Sequence, residues 1–342
     1  MENIYEFALP ELTQRLAAHG FPAYRAVQVF GWLYKKRAEE FAKMRTLPPH
    51  LRRELADTFY CGLPECTLKR VSADKTEKYL FRLTDGRTVE TVMIPEKKRR
   101  TLCVSSQVGC RFNCAFCASG ASGFQRNLTV AEIVGQHLWA ADHERPVTHI
   151  VYMGIGEPLD NFANVAGSIS LLCEPKGLGF SPRKITVSTC GIIPRLPQLA
   201  EAFPKVKLSV SLHAATDDLR SRLMPVNRKY PLKNLMPALK TYTKTTGQPV
   251  TCEYALIGGL NTGIKQARSL AKLLGGIKHK VNLIPLHAAR GNARPATEEE
   301  TTAFTAELKK KNIFFTLRAS RGPDIDAACG QLRAQARGGV RA

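Results

Sequence analysis

Acidic side chains are scarce in this sequence: 29 Asp and Glu stand against 50 Lys and Arg, a formal charge of +21. That excess is larger than solubility requires, and the commonest partner of so positive a surface is a phosphate backbone. The basic residues are scattered rather than gathered in a tail, which predicts a broad cationic face and not a disordered arm. Also missing is any run approaching the roughly 20 apolar residues that span a bilayer. The start, MENIYEFALPEL, lacks the basic stretch and apolar core of a secretion signal. These absences predict a cytoplasmic protein with no membrane partner. There is no low-complexity segment, no dinucleotide-type glycine motif and no internal repeat beyond a strand–helix alternation.

Cysteine is sparse outside one cluster. The ten cysteines lie too far apart for a secreted disulfide scaffold. In a reducing compartment, scattered cysteines are buried small hydrophobes, and Cys61, Cys66, Cys173, Cys190 and Cys252 read that way. The stretch VSSQVGCRFNCAFCASG, residues 104–120, is different: it holds Cys110, Cys114 and Cys117, with Cys103 immediately upstream. A structural zinc site needs a second hook of Cys or His, and none with zinc-like spacing follows nearby. Three cysteines in one short loop can instead hold three irons of a cubane iron–sulfur cluster and leave the fourth iron open.

Residues 1–60 read as a helical RNA-binding accessory domain. Within it Tyr24, Val27, Phe30 and Leu33 follow three-residue steps that predict one buried helix face. Residues 61–100 alternate and carry an Asp85-Gly86 turn, predicting a β-hairpin extension or linker. Residues 101–342 alternate strands (TLCVSSQV, THIVYMGI, KITVSTC, KLSVSLHA, VTCEYALI, KVNLIPLH) with helical stretches. Repeated strand–helix units predict an α/β fold, here a partial (β/α)6 barrel with chemistry at the carboxyl ends of its strands. MGIGEP, residues 153–158, closes the second of those strands.

The spacing Cys-x3-Cys-x2-Cys resembles the signature of the radical S-adenosylmethionine (SAM) superfamily, and MGIGEP resembles the glycine-rich stretch that holds the methionine amino group there. The resemblance is closer still. TLCVSSQVGC, GFQRNLT, MGIGEPL, ITVSTCGI, LSVSLHA and GPDIDAACGQL occur in order over nearly the whole chain. Together they are similar to the radical SAM methyltransferases that modify carbon-2 of adenine in 23S ribosomal RNA and tRNA. That resemblance implies a 4Fe–4S cluster on Cys110, Cys114 and Cys117, and two SAM molecules consumed per turnover. It implies that Cys329 carries a methyl group to the adenine, that Cys103 releases the product through a disulfide with Cys329, and that Glu90 accepts a proton. SAM contacts carry over as Gly156, Glu157, Ser188, Ser211, Leu212 and His213. His287 stands where the family usually has Asn. It further implies an electron donor such as flavodoxin or ferredoxin, and a monomer.

The chemistry agrees with the resemblance: carbon-2 of adenine is too electron-poor to attack a methyl sulfonium, whereas a carbon radical can add there. Three other readings remain: a carbon-8 adenine methyltransferase of the antibiotic-resistance type, a zinc-finger RNA-binding protein, and a radical SAM enzyme acting on a small molecule.

Overall fold

The computed structural model describes residues 1–121, 123–141, 145–286 and 293–332. Its amino-terminal module is built from helices α1 (Leu9–Ala18), α2 (Ala23–Tyr34) and α3 (Pro49–Thr58). α1 begins at a proline in its first turn, and the Glu11 carboxylate accepts the Ala8 N–H at 2.9 Å. The buried face of α2 is Ala26, Val29, Phe30, Leu33 and Tyr34, whereas Tyr24 is 55% and Val27 36% exposed. This corrects the face expected from three-residue steps. Such steps fall behind the 3.6-residue turn, so the row winds off the buried side within two turns.

The module is fastened to the rest of the chain. Its core is continuous with Val130, Ala131, Val134 and Leu138 of α4 (Val130–Ala140) and with Leu171 of α5 (Phe162–Cys173). Glu6 accepts the orphan Val130 N–H at the start of α4 at 3.0 Å, and Thr129 accepts that of Glu132 at 3.3 Å.

The sheet holds ten strands, which follow one another across it in chain order. They are β1 (Glu65–Val71), β2 (Glu77–Arg82), β3 (Thr88–Glu96), β4 (Arg99–Cys103), β5 (His149–Tyr152), β6 (Ile185–Thr189), β7 (Lys207–Ser211), β8 (Val250–Leu256), β9 (His279–Pro285) and β10 (Phe315–Leu317). β1 to β4 are antiparallel, and every pairing from β4 to β10 is parallel. One face of the parallel part is fully buried, with Ile185, Val187, Leu208, Val210, Val281 and Leu283 at 0% exposure, and the other carries polar side chains such as Ser188, Ser209, Ser211, Glu253 and Asn282. The remaining helices include α6 (Leu196–Ala202), α7 (Asp217–Leu223), α8 (Leu232–Thr246), α9 (Ile264–Leu273) and α10 (Glu298–Lys310). None of the helices among the described residues is long and apolar enough to cross a membrane.

Three details differ from the sequence reading. The Asp85-Gly86 turn forms, with Leu83 and Arg87 joined at 2.8 Å and Gly86 at φ +80°. Yet the segment around it is three strands that extend the barrel sheet itself. TLCVSSQV is not one strand: β4 stops at Cys103, and Gln107–Gly109 pairs with Phe124–Asn127 in a separate small ribbon. Gly109 (φ +75°) permits this, because a Cβ there would lie 1.7 Å from the Gly123 carbonyl oxygen. Finally, a seventh parallel strand, β10, pairs with β9.

Beyond β10 the chain arches back to the turn between β1 and β2. Asp324 accepts from the Ser72 hydroxyl (2.5 Å) and the Ala73 N–H (3.2 Å), Asp74 accepts the Gly322 N–H (3.1 Å), and Lys78 donates to the Asp326 carbonyl (3.3 Å). The arch thus ties one edge of the open sheet to the other.

His137 on α4 is buried, lies edge-on to Phe180 at 5.4 Å, and its Nδ1 has no hydrogen-bond partner. Burial, and secondarily Arg37, pushes its pKa down to about 4. Below pH about 6.5 the unfolded chain therefore binds a proton that the folded chain refuses, so this contribution to stability is complete above that pH and lost as pH falls towards 4. Denaturant unfolding at pH 7 and pH 5 should show the wild type losing about 2 kcal/mol more than His137→Gln. Buried carboxyls such as Glu157, shifted the other way, cancel in that comparison.

Candidate active site at the carboxyl ends of the strands

A cleft of ≈ 1020 Å³, including its open mouth, occupies the carboxyl ends of the parallel strands. Cys110, Cys114 and Cys117 line one side. Their loop is held from three directions: the Cys110 N–H donates to Gly123 (3.0 Å), the Ala115 N–H to Leu223 at the end of α7 (2.9 Å), and the Ala118 N–H to Gly330 in the arch (2.7 Å). Gly120 lets the loop close on itself, since a Cβ there would meet the Asn113 Cα at 2.7 Å. Burial pushes the Cys110 thiol up to about 12 and Cys114 higher still. These groups are thiols at neutral pH and lose protons only to a metal.

Among the described residues no three His, Cys, Asp or Glu side chains converge on a point that could hold one metal ion. A cubane cluster instead takes each thiolate on a different iron. Three soft sulfur donors around one hollow, with the remaining side open to the cleft, fit the cluster.

Opposite the cysteines, MGIGEP closes β5. A Cβ on Gly154 would meet the Val104 carbonyl oxygen and Ser105 Oγ at 2.7 Å, and one on Gly156 (φ +106°) would meet the Gln107 Cβ at 2.6 Å. Glycine is thus required where this loop presses on the segment after β4. Gly156 and Glu157 both line the cleft, but the Glu157 carboxylate is engaged with backbone: it accepts the Cys190 N–H (2.7 Å) and the Leu159 N–H (3.1 Å).

Ser188 and Ser211 line the cleft from the ends of β6 and β7, and His213 follows them. His213 Nδ1 accepts the Ala255 N–H at 2.9 Å, which puts the ring proton on Nε2, and the ring lies edge-on to Phe116 at 4.7 Å. Burial, with Arg220 second, holds its pKa down at about 3, so it is a neutral donor. Leu212 is fully buried and does not line the cleft; its N–H is spent on the Glu253 carbonyl at 3.0 Å. His287 lies outside the described residues.

Cys329 and Gly330 bring the arch to the cleft wall. Cys103, at the end of β4, is buried among Val92, Val151, Ala327 and Leu332. Burial, and then the charge of Cys329, pushes its thiol up to about 12. The fold therefore brings the chain's two distant reactive-cysteine candidates near enough for the charge of one to act on the other. All ten cysteines are free, and no disulfide joins Cys103 to Cys329 in this structure. Glu90 lies apart from the cleft, buried and paired with Lys78 at 3.1 Å; Lys78 also holds the arch at Asp326.

Sequence reading missed three residues of the cleft wall and its support. Glu253 lines it, accepting from Asn282 (2.7 Å) and Ser209 (3.2 Å). Arg318 lines it beside Cys329. Arg220 of α7 has no exposure and gathers the strand ends: it donates to the carbonyls of Cys190 (2.7 Å), Ser211 (3.0 Å) and Leu212 (3.2 Å) and to Asn227 (2.8 Å). In DDLRSRL it looks like any solvated helix arginine. Arg220→Met strands those acceptors without donors, and thermal unfolding should register a loss of about 3 kcal/mol.

Comparison with known proteins agrees with this geometry. The profile of the radical SAM superfamily matches residues 104–274, and that of the ribosomal RNA large subunit methyltransferase N-terminal domain matches residues 2–61. The dual-specificity RNA methyltransferase RlmN of Geotalea uraniireducens is 45% identical over 97% of this chain and 96% of its own length. The probable dual-specificity RNA methyltransferase RlmN of Geobacillus thermodenitrificans is 43% identical over 98% of this chain and 94% of its own. The crystal structure of a radical SAM methyltransferase from Sphaerobacter thermophilus superposes with a TM-score of 0.93 at 44% identity, covering 98% of this chain and all of that one. With triplet, glycine loop and arch arranged on that fold, the chain belongs to the RlmN family of radical SAM RNA methyltransferases.

Proposed function

We propose that this enzyme methylates carbon-2 of a specific adenine in 23S ribosomal RNA, and an adenine in tRNA, through a methyl group carried on Cys329. One observation carries the reading. Cys329 lines the cleft that also presents the cysteine triplet, and Cys103, buried behind the wall with Ala327 and Leu332, lies near enough to feel the charge of Cys329. A triplet alone serves any radical SAM chemistry; a second thiol pair beside it serves a carrier mechanism.

Cys110, Cys114 and Cys117 would hold the 4Fe–4S cluster, with Gly156, Ser188, Ser211 and His213 around the SAM beside it. When bound, that cluster supplies the electron that splits the SAM sulfonium. Cys329 accepts the methyl group of one SAM and presents it to the base, the second SAM providing the oxidising radical. The resemblance assigns the carbon-2 proton to Glu90, which here is buried and paired with Lys78 outside the cleft lining. Once the adduct has given up its unpaired electron along with that proton, an electron the oxidised cluster would take back, Cys103 attacks the Cys329 sulfur, the S–C bond breaks, the released carbon takes up a proton to become the methyl group, and a disulfide is left for an external thiol to reduce. An acidic redox protein of the flavodoxin or ferredoxin type suits a +21 monomer working in the cytoplasm.

Nucleoside analysis of RNA treated with the reconstituted enzyme tests the position. The expected product is 2-methyladenosine. Methylation solely at carbon-8 overturns the assignment.

A further inference from the structure

The amino ends of the parallel strands, at the opposite end of the barrel from the cleft, gather a second set of charges. Arg99 opens β4, His149 opens β5, Lys184 directly precedes β6, Lys207 opens β7 and Lys280 is the second residue of β9. Side chains alternate along a strand, so Lys207 shares a face with Ser209 and Ser211, and Lys280 with Asn282. The register carries that face across the sheet: Thr101 pairs with His149, Thr186 with Lys207 and Thr251 with Lys280. It is the face that lines the cleft at its carboxyl end. Between the two ends lies a hydrogen-bonded layer, Glu253 accepting from Asn282 at 2.7 Å and from Ser209 at 3.2 Å.

None of these five basic side chains forms an ion pair among the described residues. The charges that reach them are their own. Burial, then Arg99, Lys207 and Lys184, pushes His149 down to about 4, and Lys207 is lowered by burial and then by Arg99 and Lys280. Arg99 and Lys207 stand three strands apart, about 14 Å along a flat sheet. Their interaction requires the sheet to curve and the two side chains to converge on a common centre. Phe314, immediately before β10, extends the same face: its carbonyl accepts the Val281 N–H at 3.1 Å, and Thr316, two residues on, donates its hydroxyl to Asn282 at 3.0 Å. The Phe314 ring is 64% exposed.

Like charges held together repel, and one ligand carrying several negative charges relieves all of them. An extended nucleic-acid backbone follows a flat or convex stripe of cations, whereas convergence on a centre suits a compact anion. The hydroxyls of Thr186 and Thr251, beside Lys207 and Lys280 in register, add donors of the kind phosphate oxygens accept. An exposed aromatic ring at the edge of such a group suits a base. We infer that the amino-terminal mouth of the barrel is a second ligand site, which takes a nucleoside polyphosphate with its phosphates among Arg99, His149, Lys184, Lys207 and Lys280 and its base on Phe314. This site is separate from the cleft and independent of the position methylated on the RNA.

The test is calorimetric titration of magnesium-free ATP into holoenzyme saturated with SAM, so that the cleft is already filled. Saturable binding is expected, and Arg99→Gln combined with Lys207→Gln should weaken it by about 10- to 100-fold. The same loss of two charges at Lys35 and Lys36, on the amino-terminal module, should leave it unchanged. The Arg99/Lys207 variant should melt no lower than the wild type, since it removes repulsion, which separates lost binding from lost folding. Phe314→Ala should weaken ATP but not inorganic tripolyphosphate. Absence of saturable binding, or an equal loss in the Lys35/Lys36 variant, overturns the site, and ATP affinity untouched by Phe314→Ala overturns the place given to the base. Displacement of ATP by a substrate RNA hairpin, with hairpin affinity falling in the Arg99/Lys207 variant, would make this face an RNA contact and overturn the compact ligand.

Discussion

RNA methylation by Cys329→Ala is expected to fall by at least about 10³-fold, with the iron content and SAM binding of the wild type retained. Cys329 is exposed on the arch and its side chain supports no packing, so its loss opens no cavity. The triplet loop is hydrogen-bonded to Gly330 through backbone atoms, which alanine at 329 leaves in place. Loss of activity with an intact cluster therefore isolates the carrier role of the thiol. Scintillation counting of RNA after incubation with methyl-labelled SAM measures it, and iron analysis of the same sample supplies the control. Retained methylation would mean that the methyl group reaches the base by another route.

Cys103→Ala should have the opposite outcome for the RNA: it becomes trapped. In this variant Cys329 still delivers its carbon to the base, but no neighbouring thiol remains to attack the Cys329 sulfur. A species of protein plus RNA should persist on a denaturing gel, and turnover should drop by at least about 10³-fold. The burial of Cys103 among Val92, Val151, Ala327 and Leu332 makes alanine a mild change, costing about 1 kcal/mol of stability. Free, unmodified RNA as the only species would show that Cys103 is core packing and nothing more.

The cluster loop was readable because its information is local: three cysteines within eight positions need no tertiary contact to be noticed. The strand–helix alternation was readable for the same reason. Cys329 was accessible only through resemblance, because its meaning depends on an arch pinned by Ser72, Asp74 and Lys78 from the opposite edge of the sheet. Arg220 was invisible for a related reason. A buried guanidinium is tolerable only where carbonyls of Cys190, Ser211 and Leu212 converge, and they come from separate strand ends. The break in TLCVSSQV depends on Ser105, whose hydroxyl donates to the Glu90 carbonyl at 2.5 Å and accepts the Ile155 N–H at 2.9 Å. Those contacts draw the chain off the strand line. Tyr24 and Val27 were misplaced by a phase error of the helical turn, not by misjudged polarity.

Glu90 stands differently. Its carboxylate is engaged by Lys78, the same ammonium that donates to the Asp326 carbonyl of the arch.

The most direct measurement is an isotope chase on Cys329. Reconstituted enzyme is loaded with trideuteromethyl SAM in the absence of RNA, freed of small molecules, and then given RNA with unlabelled SAM for a single turnover. Mass spectrometry should find the trideuteromethyl group on the peptide containing Cys329 before RNA is added. The first methylated adenosine should then keep the deuterium that remains after one hydrogen-atom abstraction. An unlabelled first product from a fully labelled enzyme would contradict the carrier role of Cys329.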